Sequence, residues 1–246
     1  MNKININVDM GEGFNVEEKL MPLISSCNIS CGAHAGSSLE IRRVAGLAKI
    51  NAVKIGAHPS YPDRKNFGRI SMKITRSELK KSVKNQLLRF VQQLDHPKDL
   101  NHIKPHGALY NDCVKDKNIA QIIVEIVEKY YPNVLIFTIH NGELYKQALS
   151  KGLNVYSEAF LDRGYKDNGQ LEDRAKKGAI LEDGRSMFDQ LYNILEKKQL
   201  KTVNGKWINI TAETFCVHGD HKNVLENLTM LHKLCENYHK RGERFI

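Results

Sequence analysis

Short apolar runs alternate along the chain with longer segments of helical periodicity. The short runs are rich in β-branched residues and end in polar or glycine-rich loops, which is typical of strands. The predicted strands cover residues 4–8, 27–30, 53–57, 102–104, 134–138, 155–158, 179–181 and 214–217.

The segments between these strands carry helix signals. Two of them begin with a capping-box pattern, in which a Ser or Thr precedes a Glu by three residues, at 37–40 and 75–78. Apolar residues then recur every three or four positions, most clearly within 79–94, 119–130 and 224–235. Such stripes indicate helix faces that pack against a core.

Strands and helices that alternate this many times predict a parallel sheet covered by helices. A chain of 246 residues is long enough for either a TIM-like (β/α) barrel or a doubly wound open sheet. Polar residues follow almost every predicted strand, and this position favours the barrel. We therefore predict a single (β/α)-barrel domain over residues 1–246.

The composition, 41% hydrophobic and 26% charged, is that of an ordinary globular domain. No apolar run approaches the ~18 residues of a membrane span, and residues 1–5 do not resemble a signal peptide, so we expect a cytoplasmic protein without a membrane partner. Five cysteines without a CxxC pair indicate neither a disulfide framework nor a zinc ribbon.

The net charge of +9 raises nucleic acid as a partner. The densest basic runs, at 80–81, 197–198 and 241–244, lie on helix-like segments or in the tail. Aromatic residues are not interleaved with them, as a stacking platform for bases would require. We expect a solvated basic surface and no nucleic-acid partner.

Reactive side chains of a barrel enzyme lie at the carboxyl ends of the strands, around one cavity. Here the strand ends carry histidines, carboxylates and basic residues, which suit the hydrolysis of a carbonyl compound. The candidate catalytic residues are Asp9, His34, His58, Lys104 and His106. The candidate substrate-binding residues are Glu12, Asn28, Arg69, Glu158, Asp162, Arg163, Arg174, His218 and Asp220.

The turn after the fourth predicted strand is stiffened by Pro105, which fixes its own φ and biases Lys104 towards an extended conformation. We expect Lys104 to be the cation for a substrate carboxylate or oxyanion and His106 to be an acid or base. Alanine at either position should lower turnover with little change in thermal stability. The alternative is a solvent-exposed lysine and a histidine that only bonds a loop carbonyl.

Three motifs of other enzyme classes are missing from the sequence. It contains neither a phosphate-binding GxxxxGK[ST] loop nor a GxGxxG dinucleotide fingerprint, and no GxSxG nucleophile elbow.

The strand-end motifs, taken in order, resemble those of the LamB/YcsF family over residues 4 to about 230. The matching stretches are NVDMGE at 7–12, SCNISCGAHAG at 26–36, IGAHPSYPD at 55–63, NFGR at 66–69, KPHGALYN at 104–111, EAFLDRGY at 158–165, GQL at 169–171 with Arg174, and CVHGD at 216–220. The sequence departs from the usual family pattern at Val8, Ala33, Ser37 with Ser38, and Leu161, where the family has Cys, Phe, Asp-Pro and Ala.

The resemblance implies a barrel of seven strands, similar to glycoside hydrolase and polysaccharide deacetylase barrels. It also implies the role of the A subunit of an ATP-dependent 5-oxoprolinase, which opens the ring of 5-oxo-L-proline to L-glutamate together with subunits B and C. ATP is then expected to be handled wholly or largely by those partners. Arg69, Arg163 and Arg174 become the candidate clamps for a phosphate or carboxylate.

Two other classes of function stay open from the sequence. One is a free-standing, metal-dependent deacetylase or amidohydrolase, in which Asp9, His34 and His58 would bind a divalent ion. The other is a binding module whose polar face only holds a small anion, or a basic surface for nucleic acid.

Overall fold

The computed structural model describes residues 4–240 and contains a closed barrel of seven parallel strands. These strands are β1 (Ile6–Met10), β2 (Ser26–Ser30), β3 (Lys54–His58), β4 (Leu100–Ile103), β5 (Leu135–Thr138), β6 (Val155–Phe160) and β9 (Thr214–Val217). They lie around the barrel in chain order, and β9 closes the ring by pairing with both β6 and β1. The predicted seven-stranded TIM-like barrel is confirmed.

The α-helices cover the outside of the barrel. They are α1 (Glu17–Leu20), α2 (Ser38–Ile50), α3 (Arg76–Val91), α4 (Gly107–Lys115), α5 (Lys117–Tyr130), α6 (Glu143–Ser150), α7 (Gly184–Lys197) and α8 (Val224–Lys240). The predicted capping box at Thr75 with Glu78 is complete, whereas at 37–40 only its first half is present: the Ser37 side chain accepts from the backbone of Glu40. No helix among the described residues is long and apolar enough to cross a bilayer.

One predicted strand is wrong. Residues 179–181 do not enter the barrel, and Ile180 makes only an isolated bridge with Arg163. Because β6 pairs directly with β9, the closed ring leaves no position for another strand. An antiparallel hairpin that the sequence interpretation missed, β7 (Gln199–Lys201) with β8 (Trp207–Asn209), lies between α7 and β9 instead.

The single-domain interpretation of residues 1–246 stays a prediction. Residues 1–3 and 241–246 lie outside the described residues, and the basic run at 241–244 is among them.

The strands are buried on both faces, but the two faces differ in chemistry. Val8, Ile29 and Ala57 belong to the apolar core that the helices cover. Alternate residues such as Asn7 and Asn28 are fully buried and polar. Since successive side chains of a strand point to opposite faces, the barrel is filled by polar groups that must bond one another.

Gly56 of β3 makes room for one of these interior groups. A Cβ atom at Gly56 would lie 2.0 Å from Nε2 of His102. The His102 ring cannot move aside easily, because it stacks on Phe137 with centroids 4.0 Å apart and bonds Asn28 Oδ1 at 2.7 Å. The glycine therefore fixes how closely β3 and β4 approach inside the barrel.

We expect Gly56→Ala to lower the free energy of unfolding by about 2 kcal/mol or more, because overpacking a rigid interior costs that much. Urea denaturation measures the change. Gly46→Ala in α2 is the matched control, since a Cβ there meets no atom within 4 Å. This control should be neutral or stabilising by up to about 1 kcal/mol. Equal stability of the two variants would contradict the packing argument.

Candidate active site

Side chains at or just after the carboxyl ends of six strands, β1, β3, β4, β5, β6 and β9, line a cavity of about 440 Å³. The sequence-predicted residues that line it are Asp9, His58, Arg69, Lys104, His106, Arg163, Arg174 and His218. A second cavity of about 390 Å³ beside it is lined by Asp162, Arg163, Arg174 and Asp220. The strand ends therefore gather most of the predicted residues at one end of the barrel.

Lys104 is the centre of the cavity floor and is only 2% exposed. Its ammonium nitrogen lies 3.1 Å from Asp9 Oδ1 and 3.0 Å from Glu158 Oε1. It also contacts Cys216 Sγ at 2.9 Å and Asn7 Oδ1 at 3.3 Å. These four contacts use all three N–H groups of the ammonium, so none is free to bind a substrate. Lys104 is therefore not the solvent-exposed lysine of one sequence interpretation, nor is it placed to bind a substrate carboxylate directly as the other expects.

Opposite charges stabilise the ionised forms of this buried pair. Burial alone would disfavour the ammonium, but the carboxylates of Asp9 and Glu158 hold the pKa of Lys104 well above its ordinary value. Burial would also raise the pKa of Asp9, but His58 and Lys104 hold it well below its ordinary value. Asp9 is thus a carboxylate at neutral pH and a poor proton acceptor.

A polar layer beneath this pair orients it. Asn28 Nδ2 donates to Asp9 Oδ1 at 2.8 Å and to Asn7 Oδ1 at 2.7 Å. Asn7 Nδ2 donates to Glu158 Oε1 at 3.0 Å. Asn28 and Glu158 line neither cavity, so their contacts fit a supporting role better than the predicted role of touching substrate.

The sequence interpretation missed three members of this interior network. Asn7, His102 and Cys216 each precede a predicted site residue by two positions, so they share its face of the strand. Polar residues at alternate positions of an otherwise buried strand were the signal that could have identified them.

His58 and His106 face each other above Asp9. His58 donates from Nδ1 to the Lys104 carbonyl at 2.7 Å, and His106 donates from Nε2 to the Phe67 carbonyl at 2.9 Å. Their inner atoms, His58 Nε2 and His106 Nδ1, are 3.0 Å apart. His58 Nε2 also lies 3.4 Å from Asp9 Oδ2.

His34 stacks on His106 and bonds the neighbouring carboxyl group. The two rings are parallel, with centroids 3.7 Å apart, and His34 Nε2 lies 3.0 Å from Glu12 Oε1. Burial lowers the pKa of His34 to about 2 and, together with Asp9 and Asp220, raises the pKa of Glu12 well above its ordinary value. Neither His34 nor Glu12 lines a cavity, so these residues support the position of His106 and do not form part of the cavity surface.

Asp162 and His218 form a carboxylate–imidazole dyad at the cavity wall. His218 donates from Nδ1 to Asp162 Oδ2 at 2.8 Å, and its backbone N–H donates to the same oxygen at 2.9 Å. Burial would raise the pKa of Asp162, but His218 lowers it from 3.8 to about 2. This arrangement fixes the tautomer of His218 and leaves its Nε2 as the atom that can accept a proton.

Gly219 allows the last strand to bring His218 to this position. A Cβ at Gly219 would lie 2.1 Å from the carbonyl oxygen of Asp9. The backbone after β9 thus passes directly against the end of β1, which places the dyad beside Asp9.

Arginines from two loops meet Asp220 at the rim. Arg69 pairs with Asp220, and Arg174 Nη1 lies 3.4 Å from Asp220 Oδ2. Arg163 is 7% exposed, and its guanidinium donates to the carbonyls of Glu172 and Ala179. Arg69 and Arg174 are therefore the better placed of the three candidate clamps.

Comparisons with known proteins agree with this geometry. A model of the LamB/YcsF family matches residues 4–244. The chain belongs to the LamB/YcsF family. The A subunit of 5-oxoprolinase from Pyrococcus abyssi is 35% identical over 240 residues, which cover 95% of this chain and 94% of that protein.

Two further similarities extend over nearly the full length. The A subunit of 5-oxoprolinase from Staphylococcus haemolyticus is 39% identical over 239 residues, with 93% of this chain and 94% of that protein covered. The crystal structure of a lactam utilization protein from Thermus thermophilus superposes with a TM-score of 0.85 at 30% identity, covering 99% of this chain and 100% of that one.

The departures from the family pattern lie away from the two cavities. Val8 and Leu161 are buried in the apolar core, and Ser37 caps α2. Neither these residues nor Ala33 line either cavity among the described residues.

We expect Lys104→Met to lower the free energy of unfolding by about 3–5 kcal/mol at pH 7, because it leaves two buried carboxylates without their cation. This replaces the expectation of unchanged stability, which assumed a more accessible lysine. Lys81→Met, at an exposed position of α3, should change stability by less than about 0.5 kcal/mol. Urea denaturation measures both, and a loss near that of the control would refute the role of Lys104.

A second prediction concerns acid stability. A carboxyl group whose folded pKa is depressed stabilises the protein above its unfolded pKa, and this stabilisation is lost as the pH falls through the folded pKa. Asp162 should thus contribute about 2 kcal/mol above pH ~4 and lose it towards pH ~2.

The stability difference between the wild-type chain and Asp162→Asn should therefore shrink as the pH is lowered from 5 to 3 in urea titrations. Asp189→Asn, at an exposed position of α7, controls for the removal of a carboxylate. If the stability difference between the wild-type chain and Asp162→Asn grew as the pH was lowered, the depressed pKa of Asp162 would be contradicted.

Proposed function

We propose that this chain is the A subunit of an ATP-dependent 5-oxoprolinase and hydrolyses the lactam ring of 5-oxo-L-proline to give L-glutamate. The observation that carries the proposal is the cavity itself: a buried Asp9–Lys104 pair at its floor, an Asp162–His218 dyad at its wall and two arginines at its rim. The family, and the relatives named as the A subunit of 5-oxoprolinase, supply the substrate. They do not favour the free-standing deacetylase alternative.

The substrate fits the charges of the site. 5-Oxoproline carries one carboxylate, which Arg69 and Arg174 at the rim can bind in a charge-assisted contact. With the carboxylate at the rim, the ring would lie between His218 at the wall and Asp9 at the floor, both of which line the cavity. A cavity of about 440 Å³ has room for the ring and an activating group.

The chemistry explains why ATP is needed. Amide resonance makes the lactam carbonyl a poor electrophile and its nitrogen a poor leaving group. Transfer of a phosphoryl group to the carbonyl oxygen gives an activated imidate, which water can attack at carbon. Since the sequence has no phosphate-binding loop, we assign the binding and hydrolysis of ATP to subunits B and C.

Within this chain, His218 is assigned as the general base. Its Nε2 accepts a proton from the attacking water, while Asp162 stabilises the imidazolium that forms. As the tetrahedral intermediate collapses, the carbon–nitrogen bond breaks and the nitrogen takes up the proton, which leaves an open-chain acyl phosphate. A second water then attacks this acyl phosphate, and phosphate leaves as the side-chain carboxylate of glutamate forms. The deprotonated Asp9 and the ammonium of Lys104 provide a fixed electrostatic field next to the reacting carbon.

The central test measures glutamate release from 5-oxoproline and ATP by this chain with and without subunits B and C. Release should require all three, and the isolated chain should show negligible ATP hydrolysis. Glutamate release without ATP, or its absence with all three subunits, would refute the proposal.

Arg174→Gln should lower kcat/KM for 5-oxoproline by about 10–100-fold, mainly through KM, because a carboxylate clamp binds ground and transition states alike. Arg185→Gln is the control, because Arg185 pairs with Asp189 on the exposed face of α7. An unchanged KM in Arg174→Gln would remove this residue from the site.

A further inference from the structure

Three potential ligand atoms converge at the floor of the cavity. His58 Nε2 lies 3.0 Å from His106 Nδ1 and 3.4 Å from Asp9 Oδ2, and all three atoms fall within 4.8 Å of one another. The residues are 5% exposed or less, so this cluster is built into the fold.

In each of these two histidines, the ring nitrogen that faces the backbone determines where the lone pair of the other ring nitrogen points. His58 Nδ1 and His106 Nε2 both face backbone carbonyls, which only accept, so each must carry its hydrogen. In neutral rings His58 Nε2 and His106 Nδ1 are then both unprotonated and face each other. Something positive must lie between them, either an extra proton or a metal ion.

The spacing favours the metal ion. A zinc–ligand distance of about 2.0–2.1 Å in a tetrahedral site separates neighbouring ligand atoms by about 3.3 Å. The separations of His58 Nε2 from His106 Nδ1 and from Asp9 Oδ2, 3.0 and 3.4 Å, bracket this value, and the ligand atoms of His106 and Asp9 lie within 4.8 Å of each other. A proton joins only two atoms, whereas a metal ion accepts all three.

The ring planes select the ligand set. An ion bound by an imidazole lies in the plane of that ring, and His58 and His106 are inclined at 83°, so one ion can lie in both planes. His34 and His106 are parallel and stacked, so one ion cannot lie in both planes. His106 therefore replaces His34 in the ligand set expected from the sequence.

The neighbouring group of Asp9, Cys216 and His218 is a weaker candidate. The Cys216 sulfur lies against the Lys104 ammonium, and burial raises the pKa of its thiol well above the ordinary value. A protonated thiol beside a cation does not bind a metal ion.

We propose that Asp9, His58 and His106 bind one divalent transition-metal ion of the zinc type. The hydrogen bonds from both histidines to backbone carbonyls are the outer contacts that orient metal-binding imidazoles. Asp9 Oδ1 is held by Lys104 and Asn28, which leaves Oδ2 for the ion. All three residues line the cavity, so the fourth position is open to water or a carbonyl oxygen, which the ion would polarise.

The test uses the isolated full chain, stripped with a chelator and titrated with Zn²⁺ by calorimetry and with Co²⁺ by visible absorption. One equivalent should bind, with the intense absorption of a low-coordinate Co²⁺ site. His58→Gln and His106→Gln should each weaken binding by about 100-fold or more. His34→Gln should keep the stoichiometry and the Co²⁺ spectrum, and His232→Gln on α8 controls for surface histidines.

Two outcomes would overturn the proposal. One is a wild-type chain that binds less than one equivalent of either ion, as a proton-bridged histidine pair would. The other is binding that survives in both His58→Gln and His106→Gln. Because the measurement needs no substrate, ATP or partner protein, its failure would leave the 5-oxoprolinase assay untouched, and the converse also holds.

Discussion

An ammonium group enclosed by a barrel is the constraint around which the rest of this molecule is arranged. Lys104 can be charged there only because Asp9 of β1 and Glu158 of β6 lie within 3.1 Å of it. Those carboxylates in turn need the amides of Asn7 and Asn28. The polar interior therefore joins strands on different sides of the ring, and the stability of the barrel and the electrostatics of the cavity rest on the same contacts.

The sequence predicts the architecture well, because apolar strands that end in polar loops have one simple arrangement, a parallel barrel with its reactive residues at one end. It fails at residues 179–181, where a short apolar run satisfies strand propensity. That run covers the segment after β6, and the carbonyl of Ala179 accepts from Arg163. Whether a strand can join depends on free edges elsewhere, which a local pattern does not contain.

The sequence predicts which residues belong to the candidate site but not what each of them does there. Asp9, His58, Lys104 and His218 meet as strand ends should. The sequence cannot reveal that Lys104 uses all its donors inside the barrel, or that His34 lies flat on His106. Such roles depend on ring planes and on distances of a few tenths of an ångström between residues far apart in sequence. Those distances are set by close approaches such as that of Gly219 to Asp9.

The ion pairs at the rim of the cavity affect the energetics of anion binding. Asp220 already lies between Arg69 and Arg174, from the loops after β3 and β6, so under the proposed function a carboxylate ligand would displace a carboxylate of the protein. Binding is then an exchange of partners, in which the charge of the arginines is compensated before and after. Little net electrostatic energy is gained by charge alone, so discrimination between anions must come from the shape of what is attached to them. Under the proposed function, the reverse exchange would favour the release of product, because Asp220 stays beside the arginines and competes for them.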